Sequence, residues 1–245
     1  MDWPHSSHRW RQNENVRDGT RGLPRHVRAD AHGTGRTPTR VNEPAGTLWA
    51  SEREARWADA LAGYDAAIAA VPSGRLVEHD AWYRTVLPTL MASRTPGYVM
   101  HDEMVRITEW KMARGVWRAP NLVLVRSNTP EDVITASRLA AVQIPHPTKP
   151  VNALVALKGV GAATASALLA VMAPSVYPFF DEEVAAQVPQ LGPVAWTNGY
   201  YAKYAVALRE RSAQLSERFG RAFTPVMVER ALWAARGDSK RDVTG

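Results

Sequence analysis

The chain has 245 residues, 45% of them apolar and 22% charged, which is ordinary for a soluble globular protein and enough to bury a sizeable core. Lys and Arg outnumber Asp and Glu by 30 to 24, a net charge of +6 that is compatible with nucleic acid without requiring it. There is no cysteine, which excludes disulfides, thiol catalysis, thiolate zinc sites and cysteine-ligated iron–sulfur clusters, and favours an intracellular setting.

Residues 1–46 are rich in Gly, Pro, Arg, His and Thr and poor in large aliphatics, so they cannot bury enough apolar area to offset their ordering entropy. They read as a disordered basic arm, either a tail that contacts nucleic acid or a solvated extension. The start, Met1-Asp2-Trp3-Pro4-His5, lacks the charged-then-apolar run of a secretory signal. Residues 159–180 carry no charge, but Pro174 and Pro178 leave a helix too short to span a bilayer, and no membrane partner is expected.

From Thr47 onward the pattern is helical, and one domain is expected over 47–245. Ser51 with Glu54 has the spacing of a capping box, and Trp57, Leu61, Tyr64 and Ile68 continue a helix to Val71. Further helices are expected over 79–87 and 100–115. The apolar run 121–125 fits a strand or a buried helical turn equally well. Thr129-Pro130-Glu131-Asp132 is a strong helix start, with a cap hydroxyl, proline at the first position and acids in the first turn; that helix is expected to reach Gln143. The remaining helices fall near 151–157, 162–172, 181–188, 197–218 and 225–236, the last opened by Thr224-Pro225. The fold class is therefore all-α.

Charge is uneven along the chain: +3 in residues 1–50, −3 in 51–83, +4 in 84–128, −2 in 129–200 and +4 in 201–245. A basic face would need 84–128 and 201–245 to meet.

Between two expected helices lies Leu157-Lys158-Gly159-Val160-Gly161-Ala162-Ala163-Thr164-Ala165. Two glycines permit a tight turn, and a helix of small residues follows at once. The amides of Val160, Gly161 and Ala162 would then face outward at a helix N-terminus, a setting suited to one backbone phosphate. This stretch resembles the helix-hairpin-helix motif of the DNA glycosylase superfamily of that name, the endonuclease III and adenine-mismatch glycosylase type. The resemblance runs on through Thr164-Ala165, the helix Ser166 to Met172, and Val176-Tyr177-Pro178-Phe179-Phe180 to Asp181, which falls twenty residues after Gly161. It covers about thirty residues. The rest of the chain resembles a poorly characterised group of helix-hairpin-helix proteins best known in fungi, through Glu109-Trp110-Lys111, Arg126-Ser127-Asn128, Lys158-Gly159-Val160-Gly161 and Pro178-Phe179-Phe180-Asp181-Glu182.

The resemblance implies a DNA-binding, monomeric protein whose contacts are Lys158, Gly159, Val160, Gly161, Ala162 and Thr164, with the carbonyls of Leu157 and Val160 holding a monovalent cation. It implies no cofactor. Its enzymatic version is base excision, with Asp181 stabilising an oxocarbenium-like sugar; the alternative is a non-enzymatic module for nucleic-acid or protein contact. Asp181 at a helix N-cap would be kept ionised by the helix dipole, and the same placement serves equally as a cap alone. Ala163 stands where lyase-type members carry a Schiff-base lysine, so no lyase step is implied. Glu182 and Glu183 add charge that would repel phosphates unless turned away. Trp110, Trp117, Tyr177 and Trp196 are candidates for stacking on a base, or else core residues.

Overall fold

The computed structural model describes residues 47–72 and 74–236; the arm 1–46 lies outside the described residues. These residues are mostly helical, with no strand among them. After a single turn at Leu48–Ala50 come α1 (Glu54–Ala62), α2 (Tyr64–Ala69) and α3 (Leu76–Ala81). A π-type turn, Trp82–Val86, joins α3 to α4 (Leu87–Ala92). Then follow α5 (His101–Arg114), α6 (Ala119–Arg126), α7 (Pro130–Val142), α8 (Lys149–Val155) and α9 (Ala162–Met172). The chain ends with α10 (Glu182–Ala185), α11 (Asn198–Phe219) and α12 (Pro225–Ala234).

Local sequence explains most starts. Thr129, Thr197 and Thr224 each accept a first-turn amide on Oγ1, from Asp132, Tyr200 and Met227 respectively. The Ser51–Glu54 capping box does not form. The Ser51 carbonyl instead accepts from Trp57 Nε1 at 2.9 Å and Arg211 Nη2 at 2.7 Å, and α1 begins three residues later. The single helix expected through Val71 is interrupted at Gly63. The one expected over 79–87 starts at Leu76 and runs on through the π-type turn to Ala92. The ambiguous run 121–125 is helical.

α9 is built from small and apolar residues and is buried on every side from Ala162 to Ala170. A helix without a polar face belongs at the centre of a core. Around it pack α4, α5, α8 and α11. Trp110 of α5 stacks on Tyr83 with centroids 3.7 Å apart and meets Phe179, while Tyr83 donates to the Ala167 carbonyl at 2.6 Å. The segment from Tyr177 to Asp181 runs extended from the end of α9 to α10. Tyr201 and Tyr204 of α11 donate to the carbonyls of Pro178 (3.2 Å) and Phe179 (2.8 Å), and the Phe180 amide donates to Ser166 Oγ at 2.9 Å. The backbone before Asp181 is thus pinned from α9 and α11.

Candidate nucleic-acid interface

The turn between α8 and α9 is held by one side chain. The Lys158 amide donates to Asn128 Oδ1 (2.9 Å), and Asn128 Nδ2 donates back to the Lys158 carbonyl (3.0 Å) and to the Val125 carbonyl (2.9 Å). The Asn128 amide thereby mimics a peptide partner and ties the turn to the end of α6. Thr129, not Asn128, caps α7. Gly159 has φ +74°, and a Cβ there would stand 2.6 Å from the Asn121 carbonyl oxygen and 2.8 Å from Leu124 Cβ. Only glycine meets both demands, the left-handed backbone and the close approach to α6.

Of the expected phosphate donors, Val160 is corrected: its amide turns inward to the Leu157 carbonyl at 3.2 Å, closing the turn, and its side chain is buried. The remaining donors are the amides that open α9. Gly161 is its N-cap, exposed and extended, with open space where a Cβ would be. No side chain caps α9, so its first turn keeps the unmet N–H groups that every helix start has. The Lys158 side chain is exposed beside them, while those of Ala162 and Thr164 are buried. The Leu157 carbonyl already accepts one hydrogen bond, so with Val160 it makes a thin oxygen set for a monovalent cation.

The acids of 129–200 sit at the edges of that stretch. No carboxylate occurs between Glu109 and Glu131, or between Asp132 and Asp181. The first interval holds Lys111, Arg114, Arg118 and Arg126, and the second Arg138, Lys149 and Lys158. The turn and the helix that braces it, α6, are therefore free of acidic residues, and Val123 and Leu124 of α6 are exposed beside it.

Asp181 is the N-cap of α10, accepting from the Glu183 amide at 2.9 Å. Its second oxygen lies 3.2 Å from Arg114 Nε. Arg114 is fully sequestered and also pairs with Glu229 of α12, which is 1% exposed. Sequence reasoning missed Arg114 and Glu229, because two residues 115 positions apart leave no local signal. Burial pushes the Asp181 carboxyl above the ordinary carboxylate range; the Arg114 guanidinium and the Glu183 amide pull the other way and do not prevail. The expectation that the helix dipole keeps Asp181 ionised is thus offset by desolvation. Burial likewise lifts Glu229 to about 7, with Arg114 opposing. A cavity of about 290 Å³ is bounded by Trp110, Arg114, Phe179 and Glu229, and Asp181 is not among the residues that line it.

Trp110 and Tyr177 are core residues, while Trp117 and Trp196 are 43% and 47% exposed. Glu182 and Glu183 are exposed. His101 Nε2 lies 3.2 Å from the Arg126 carbonyl. Among the described residues, no group of three His, Asp or Glu is placed to hold a metal ion, and no helix is long and apolar enough to cross a membrane. Comparison with protein-family models, with curated proteins and with solved structures finds no match.

Proposed function

We propose that this protein binds DNA as a monomer, gripping a backbone phosphate with the turn from Lys158 to Ala162. The observation that carries the reading is the Asn128 clamp: a solvent-facing turn whose backbone is fixed in advance beside an uncapped helix start. A preset array of N–H groups binds an anion without first spending entropy on order. The exposed Lys158 adds a cation to that array, and no carboxylate lies between Asp132 and Asp181 to repel a polyanion.

The test is Gly161→Asp. The site is extended and open, so the new carboxylate fits and caps α9 itself. Thermal stability then holds or rises, because Asp is a good N-cap. Affinity for a 20-base-pair duplex falls at least about tenfold, and the salt dependence of binding becomes shallower by about one phosphate contact, as a lost phosphate contact requires. Unchanged affinity in a folded variant sinks the reading.

Base excision is the second reading, and one observation supports it: Asp181 lies within the fields of both Arg114 and Lys111, although it is buried. Against it, both carboxylate oxygens already serve the fold. Release of uracil, alkylated purine, 8-oxoguanine or a mismatched base by the wild type but not by Asp181→Asn would support the enzyme; silence from both leaves the non-enzymatic DNA-binding module.

A further inference from the structure

Two tryptophans stand apart from the rest. Among the described residues Trp57, Trp82, Trp110 and Trp233 are core and Trp49 packs partly against it. Trp117 and Trp196 leave 43% and 47% of their surface to water. Each carries a cation over its ring: the Arg75 guanidinium lies 5.7 Å from the centre of Trp117, and Lys111 Nζ lies 5.8 Å from that of Trp196. An indole has two faces, and a cation on one leaves the other for a flat partner at Trp117, while Trp196, which also packs against the Phe180 ring, offers the 47% of its surface that stays exposed. The two rings are linked through the end of α5: Lys111, which stands over Trp196, is in its last turn, and Trp117 and Arg118 follow three and four residues after its final residue, Arg114. Neither Arg75 nor Arg118 forms an ion pair with a carboxylate among the described residues. Of these residues Lys111, Trp117 and Arg118 lie inside the acid-free interval from Trp110 to Pro130.

We propose that Trp117 and Trp196, with Arg75, Lys111 and Arg118, form a stacking platform for unpaired nucleotides of a single strand. Every base has a flat π-face and every linkage a negative charge, so alternating rings and cations match the strand in both respects. The sequence-level candidates for stacking thus divide: Trp110 and Tyr177 are sealed in the core, and Trp117 and Trp196 remain available. The inference rests on the nucleic-acid reading in its broad form but not on the phosphate grip of the turn between α8 and α9.

The experiment measures fluorescence anisotropy of a labelled twelve-nucleotide oligodeoxythymidylate and of a blunt duplex. The proteins are the wild type, Trp117→Ala, Trp196→Ala, the corresponding Phe variants and Gly161→Asp. Each Ala change lowers affinity for the single strand by about tenfold, and Phe restores most of it. Duplex affinity moves by less than about twofold in the Ala variants. Trp196 touches Phe180 at 5.0 Å, so the Phe variant and a thermal melt guard against a folding defect at that position. Gly161→Asp weakens the duplex alone. Should the tryptophan variants bind the single strand as the wild type does, the platform is wrong. It is equally wrong if the wild type ignores the single strand, or if the Ala changes abolish self-association on a sizing column and nothing else. A duplex affinity insensitive to Gly161→Asp, with tryptophan-dependent single-strand binding intact, overturns the turn's grip and leaves the platform standing.

Discussion

Asn128 and Gly159 make one joint between them. Asn128 satisfies both backbone groups of Lys158, and Gly159 lets the turn lie against α6 at a distance no Cβ permits. Gly159→Ala must therefore pay twice, once for a left-handed backbone and once for a collision with the Asn121 carbonyl, which is backbone and cannot swing aside. The expected loss is at least about 2 kcal/mol. Asn128→Ala leaves the Lys158 amide and carbonyl without their partner, at about 1–3 kcal/mol. Urea melts measure both. A loss below about 0.5 kcal/mol for Asn128→Ala would mean that water replaces the clamp and that the turn is not preset. Sequence inspection placed the glycines in a turn and met Asn128 only within Arg126-Ser127-Asn128. It did not join them, because a contact across thirty residues has no periodicity.

α5, α10 and α12 meet at Arg114. One guanidinium serves Asp181 at the start of α10 and Glu229 within α12, all three out of water. Arg114→Met removes the cation that pairs with both buried carboxyls, and the expected cost is about 3–5 kcal/mol. The double variant Arg114→Met, Glu229→Gln leaves one buried carboxyl in place of two, so it recovers part of that loss; additive effects would show that the pair does not interact. Equilibrium unfolding of the four proteins in the cycle supplies the numbers. The helices themselves were legible wherever the signal is local. α7, α11 and α12 start at a threonine cap, and α9 runs from Ala162 to Met172 as its small-residue run implies. Illegible were the helix starts and joins decided by distant partners. Ser51 is drawn away from its capping box by Trp57 and Arg211, and Arg114 reads in sequence only as a last-turn cation of α5. Asp181 was found through its spacing from Gly161, and its role as a cap is borne out; its burial against Arg114 could not be read.

The charge of the whole chain says little about stability, and Glu229 says more. Burial lifts its carboxyl to about 7 from an ordinary value of 4.5. Between those values the folded chain holds a proton that the unfolded chain has released, so the folded state binds more protons and stability falls as pH rises. The contribution is fully present below about pH 4.5, declines through the window up to about 7 and is then lost. Burial of Asp181 acts in the same direction. A shift of this size corresponds to about 3 kcal/mol across the window. The wild-type curve sums every titrating group and alone does not isolate the effect. The difference between wild type and Glu229→Gln does, because glutamine keeps an oxygen for Arg114 and cannot titrate. Unfolding free energies measured from pH 4.5 to 8 should show that difference moving against the wild type by about 3 kcal/mol on the way up. Parallel curves would mean that Glu229 is already ionised at pH 4.5 and that Arg114 outweighs its burial.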